Sequence, residues 1–186
     1  MLSNLFQNYQ KPFPAGVKLP TIRIEKRFYD ELGLEVSTSN LKFLKVKCEK
    51  SLFNYLSKNN FDRDKYIQRL DYELSIFDEL GFIDYILLNW DVINFCHENE
   101  IPTGFGRGSA AGSLVLFLLN VTRVDPIRYD LFFERFVSKS RARKIESEGE
   151  IFLDGSLLCD VDNDISYERR QEVINYIESK FKGYTC

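Results

Sequence analysis

Asp160, Asp162 and Asp164 alternate with Val161 and Asn163. Successive side chains of an extended strand point to opposite faces, so the three carboxylates of this run would share one side. Like charges at that spacing call for a cation, and hard oxygen ligands select Mg2+ or Ca2+. Two Mg2+ ions roughly 3.5 to 4 Å apart are the usual device for in-line attack at phosphorus. A calcium loop of the D-x-D-x-D kind is disfavoured, because Ile165 stands where it needs glycine and Gln171 where it needs glutamate. An exposed acidic turn capping a helix at Ser166 is the plain structural alternative.

A second motif lies upstream, in Gly104-Phe-Gly106-Arg-Gly108-Ser109-Ala-Ala-Gly112-Ser113, which runs into the apolar stretch Leu114 to Leu119. The pattern predicts a glycine loop opening a helix over Ser109–Leu119, whose unpaired N–H groups and positive dipole end suit a phosphate. Arg107 could add a charge-assisted contact and Ser109 a hydroxyl. No Gly-Lys-Ser/Thr follows, so it is not a Walker loop, and Ser109 replaces the third glycine of a dinucleotide fingerprint. A tight turn needed only for close helix packing would use the same residues. Taken together, a triphosphate-holding loop and a metal-holding Asp-x-Asp strand are the sparse equipment of nucleotidyl transfer.

The elements that must position these motifs follow from periodicity. Leu41, Leu44, Cys48, Leu52 and Leu56 mark a helix over Asn40–Lys58, and Ile67, Leu70, Leu74 and Phe77 mark another over Asp64–Leu80, ended by Gly81. Tyr85 to Leu88 is a short apolar run that fits a buried strand, Asp91 to Glu98 reads as a helix stopped by Pro102, and helix and strand stay open alternatives across this stretch. Leu131 to Val137 is a short helical segment, and Lys139 to Glu150 an exposed loop. Ile151–Leu153, Asp154-Gly155 and Leu157–Ile165 read as a hairpin, followed by a helix over Ser166–Phe181. Residues 1–38, with Pro12, Pro14 and Pro20 and little periodicity, read as an extended arm.

Composition sets the bounds. With 44% hydrophobic and 28% charged residues, the 186-residue chain can bury a core and is not disordered. It has no apolar run of membrane-spanning length and no signal-peptide layout at Met1–Gln10, which predicts a cytoplasmic protein with no membrane partner. Cys48, Cys96, Cys159 and Cys186 lack metal or disulfide spacing and read as buried free thiols. His97, the lone histidine, reads as structural. The net charge of -3 argues against gripping nucleic acid by charge alone. From Arg107 to Lys144, however, eight basic residues face only Asp125, Asp130 and Glu134, so a polyanion could sit there.

The runs Leu70-Asp-Tyr-Glu-Leu74, Gly106-Arg-Gly-Ser-Ala-Ala-Gly-Ser-Leu-Val115, Val124-Asp-Pro126, Phe133-Glu-Arg-Phe136, Asp160-Val-Asp162 and Arg169-Arg-Gln-Glu-Val173 resemble the catalytic alpha subunit of bacterial DNA polymerase III, the C family of replicative polymerases. The resemblance covers Arg69 to about Phe181. It implies an α+β fold in which helices flank a small mixed sheet, the first part of a polymerase beta-like nucleotidyltransferase palm over residues 39–186. It implies a DNA-directed DNA polymerase in which Asp160 and Asp162 hold two Mg2+ ions while Gly108 and Ser109, with Arg107, grip the phosphates of a deoxynucleoside triphosphate. Asp164 matches an acidic position that is not a metal ligand. The implied partners are primer-template DNA, deoxynucleoside triphosphates, the remaining polymerase polypeptide and replisome proteins.

Cys159 replaces the family's usual proline, and Asn163-Asp164-Ile165 replaces a more apolar ending. The longer Ser140–Leu158 segment points to an added hairpin and a viral, phage-type or divergent member. In the family the third catalytic aspartate lies downstream, so this chain alone is expected to be inactive. The alternatives are a stand-alone nucleotidyltransferase, disfavoured by the long gap from Ser109 to Asp160, and an inactive nucleotide-binding remnant.

Overall fold

The computed structural model of the protein describes residues 21–137, 144–147, 150–153 and 159–182. Helix α1 (Lys26–Leu32) buries Phe28 and Tyr29. It occupies part of the stretch that reads as an arm, where two adjacent aromatics give no periodic signal. Helix α2 (Asn40–Ser57) begins at Ser39, whose hydroxyl accepts the Lys42 N–H, and buries Phe43, Leu44, Cys48 and Leu52. Helix α3 (Arg63–Leu80) is capped by the Asp62 carboxylate and ends at Gly81, which adopts the left-handed conformation with φ 73°. The Phe82 N–H then returns to the Phe77 carbonyl at 2.8 Å, satisfying the last turn.

Helix α4 (Ile83–Glu98) runs through the middle of the core and buries Ile83, Ile86, Leu87, Trp90, Val92, Ile93 and Cys96. Trp90 meets Phe28 edge-on at 4.9 Å and Phe43 at 5.6 Å, which ties α1 and α2 to α4. Each such fully buried large side chain contributes about 1.5–3 kcal/mol of transfer free energy. Helix α5 (Leu114–Leu118) is buried almost throughout. Helix α6 (Arg170–Lys180) docks on α4 through a stacked Phe95–Tyr176 pair with centroids 4.0 Å apart. The Tyr176 hydroxyl donates to buried Asp91 at 2.8 Å, and Lys180 pairs with the same carboxylate.

The architecture is helical, which corrects the α+β expectation. Among the described residues the one ladder is the antiparallel pair β1 (Lys144–Ser147) and β2 (Glu150–Leu153), with Lys144 opposite Leu153 and Ser147 opposite Glu150. No mixed sheet is present among them, and the implied palm sheet is not found in the described residues. Tyr85–Leu88 is helical because α4 is enclosed on several sides. A helix buried all round loses the polar stripe that separates it from a buried strand. The strand Ile151–Leu153 exists, and it pairs backward with a segment that reads as loop. Cys159–Asp164 forms no ladder, and Ile165 makes only an isolated antiparallel bridge with Thr103. Pro12, Pro14, Pro20, Lys139, Arg141, Arg143, the Asp154-Gly155 turn and Cys186 lie outside the described residues.

A buried carboxylate joins α3 to the start of α5. Glu73 is fully enclosed, and its oxygens accept from the Leu114 N–H at 2.9 Å, the Val115 N–H at 3.0 Å, the Ser113 hydroxyl at 2.8 Å and Arg69 Nε at 2.7 Å. Burial pushes its carboxyl upward, and these donors hold the charged form against that push. Arg69 also donates to the Gly112 carbonyl at 2.8 Å and the Leu131 carbonyl at 3.2 Å, so one ion pair pins three segments. In Glu73→Gln the amide must aim N–H groups at N–H or guanidinium donors whichever way it turns. The expected loss is on the order of 3–5 kcal/mol, seen as a fall of about 10 °C or more in the thermal midpoint. A midpoint within about 2 °C of the parent would contradict this role for Glu73.

Candidate functional site

The glycine motif does not run directly into one helix. Gly108–Gly112 is a 3-10 turn, Ser113 returns to extended backbone, and only then does α5 begin. The N–H groups at the start of α5 are engaged by Glu73 and by the Ser113 hydroxyl, so the expected helix over Ser109–Leu119 with its open positive end is replaced by an internally capped one. What faces outward is the loop before it. Arg107 is exposed, and Gly108 has φ 65°, a left-handed conformation that side chains resist. Ser109 is half-buried in the 3-10 turn, whose first N–H groups have no intrahelical acceptor.

The acidic segment lies against this loop. The Gly104 N–H donates to the Asp164 carbonyl at 2.9 Å, and the Ser166 N–H to the Pro102 carbonyl at 3.0 Å, flanking the Thr103–Ile165 bridge. The approach is so close that a Cβ on Gly104 would stand 2.9 Å from that of Asp164. A Cβ on Gly108 would lie 3.7 Å from Asp162 Oδ2, so the glycine that opens the loop faces the second aspartate. Arg107 Nε lies 3.9 Å from Asp162 Oδ2 and 3.5 Å from Asp164 Oδ1. Asp160 is exposed one residue beyond buried Cys159, whose carbonyl accepts the Tyr85 hydroxyl at 2.8 Å.

The donor chemistry here suits a hard divalent cation. Asp160 and Asp162 are both exposed carboxylates, and the neighbouring Cys159 thiol, pushed up to about 12 by burial, is no competing soft ligand. Among the described residues no cluster of three acidic, histidine or cysteine side chains is poised to enclose a metal.

Sequence reasoning did not single out Arg135. It lines a cavity of about 400 Å3 together with Gly108, Ser109, Asp130 and the exposed ring of Phe132. Arg135 stands in the sequence as one of the residues of the locally basic stretch and within the Phe133-Glu-Arg-Phe136 run. A larger cavity of about 520 Å3, bordered by Leu52, Phe53, Phe61 and Ile67, lies between α2 and α3 and contains none of the site residues. His97 is structural in its surroundings: it meets Thr103 at 3.3 Å and Asn120 at 3.3 Å, and burial beside Arg123 lowers its pKa. Cys48 and Cys96 are, like Cys159, buried and free.

Residues 42–185 match the family model described as the bacterial DNA polymerase III alpha NTPase domain. The chain belongs to that family. The chain is 36% identical over 155 residues to the DNA polymerase III subunit alpha of Mycoplasma genitalium, covering 83% of this chain and 16% of that protein. It is 38% identical over 166 residues to the Ureaplasma parvum subunit, covering 89% and 15%. With the Staphylococcus aureus subunit it shares 34% identity over 157 residues, covering 84% and 13%. The chain therefore spans about a sixth or less of the curated relatives it matches. No helix among the described residues is long and apolar enough to cross a membrane.

The seam between loop and acidic segment depends on the missing side chain of Gly104. Gly104→Val should force the segments apart at an overpacking cost of about 1–3 kcal/mol. Amide exchange at residues 104 and 166 should then speed up by about tenfold or more. Unchanged exchange at both would contradict the close approach.

Proposed function

We propose that this chain carries the nucleotide-holding and metal-holding part of a template-dependent DNA-directed DNA polymerase, within a larger replicative polypeptide. The observation that supports the reading is the apposition of Gly108 and Asp162: an exposed glycine loop and an exposed Asp-x-Asp segment lie side by side. Family membership supplies the substrate class. Asp160 and Asp162 would hold two Mg2+ ions, which activate a primer 3'-hydroxyl and neutralise charge on the phosphates in transfer. Gly108 and Ser109 give the β- and γ-phosphates of a deoxynucleoside triphosphate a close backbone approach. Arg107 supplies charge from one side and Arg135 from the cavity on the other. Primer-template DNA, the remaining polymerase polypeptide and the replisome proteins are the partners this function requires.

Grafting the chain in place of the corresponding segment of the Staphylococcus aureus subunit tests the reading by primer extension. The chimera should extend a primer, and Asp162→Asn in it should reduce the rate by about a hundredfold or more, as loss of transition-state charge stabilisation does. An active chimera indifferent to Asp162→Asn would overturn the assignment. Extension by the isolated chain would instead favour a stand-alone nucleotidyltransferase. In calorimetry with Mg2+ and deoxynucleotide, Asp162→Asn should abolish metal binding while Asp164→Asn does not; equal losses would count against the ligand set.

A further inference from the structure

Arg107 presents a contradiction that the phosphate-gripping role alone does not resolve. Its guanidinium lies beside Asp162 at 3.9 Å and Asp164 at 3.5 Å, on the carboxylate side of the loop. A cation arriving at Asp162 meets a positive charge already there. The side chains are about half exposed or more, at 64% for Arg107, 55% for Asp162 and 58% for Asp164, so this pairing is weak and readily exchanged. Asp164 itself is held firmly, because its carbonyl accepts the Gly104 N–H and its Cβ lies against the Gly104 backbone.

We propose that Arg107 and Asp164 form an electrostatic latch over the metal-binding carboxylates. The proposal rests on the metal-site reading above and adds a residue function to it. Without nucleotide, Asp164 keeps the guanidinium parked beside Asp162 and lowers the affinity of that carboxylate for a bare divalent cation. A triphosphate offers Arg107 stronger charge-assisted partners, so the guanidinium leaves as the phosphates arrive. Asp162 is then free for a cation, and nucleotide and metal strengthen one another's binding, as thermodynamic linkage requires. Asp164 is thus a positioning residue that acts through Arg107, which gives a reason for a carboxylate at a position that is not itself a ligand.

The test is a titration of the full 186-residue chain with Mn2+, a spectroscopic substitute for Mg2+, following free Mn2+ by electron paramagnetic resonance. Arg107→Gln should bind Mn2+ about two- to fivefold more tightly than the parent, the range an exposed ion pair supports. Arg123→Gln removes an equal charge that lies instead against His97, Thr103 and the Phe105 ring, and it should give less than half that gain. No gain in Arg107→Gln, or an equal gain in Arg123→Gln, overturns the latch while leaving the metal site standing. Failure of both the parent and Arg107→Gln to bind Mn2+ overturns the metal site and the latch with it. A second readout needs no substitution. Adding Mg2+ with a deoxynucleoside triphosphate should shift the Arg107 Nε–H resonance more than that of Arg123, and an unmoved Arg107 signal counts against the exchange.

Discussion

Glu73 is a charged group placed where water cannot reach it, and much of the remaining structure is arranged to make that tolerable. Its lone pairs meet two backbone N–H groups, a hydroxyl and a guanidinium, and each of these belongs to a segment the site needs. Through it α3 holds the start of α5. Through Arg69 the same contact reaches Gly112 and Leu131, the far ends of the 3-10 turn and of the cavity beside it. A buried ion pair is weak evidence for stability as such, because desolvation consumes most of its Coulomb energy. Its better-supported value here is placement, since one carboxylate and its guanidinium satisfy buried groups on several segments at once.

Asp125 repeats the device on a smaller scale. Its Oδ2 accepts from the Tyr55 hydroxyl at 2.7 Å and the Tyr66 hydroxyl at 2.6 Å, while Oδ1 accepts from the N–H groups of Ile127 and Arg128. The Tyr55 hydroxyl, pushed up to about 12 by burial and this carboxylate, remains a donor across the physiological range. The Val124-Asp-Pro126 run therefore has a mechanical reason: it fastens the returning chain to α2 and α3 and carries it on to the Phe133–Arg135 turn. Leu70–Leu74 and Phe133–Phe136 are explained similarly, by Glu73 and by the aromatic contact of Phe77 with Phe133 at 5.4 Å.

The helices were legible wherever one apolar face opposed one polar face. Asn40–Lys58 and Asp64–Leu80 have that pattern, and Ser39, Asp62 and Gly81 mark their ends with local hydrogen bonds that act over two to five residues. Over α4 helix and strand could not be told apart, because its environment is apolar on nearly every side. The strand pairing was misread because Asp154-Gly155 is a turn signal of composition, whereas β2 found its partner upstream. The candidate site residues were named from type and spacing. Their surroundings were not: Glu73 acts across forty residues, and nothing local in Leu-Asp-Tyr-Glu-Leu announces that it occupies the helix end that a phosphate was expected to use. Arg135 escaped for the same reason, since only the fold brings it to the cavity beside Ser109.

The internal cap on α5 also decides what kind of anion grip remains. With that helix end spent on Glu73, attraction at the outward face falls largely to the guanidinium groups of Arg107 and Arg135, both bathed in solvent. Mobile ions shield such charges over about 8 Å at physiological ionic strength. A phosphate held there is accordingly tuned by the surrounding electrolyte, loosening in concentrated salt in a way that a sheltered helix terminus would resist.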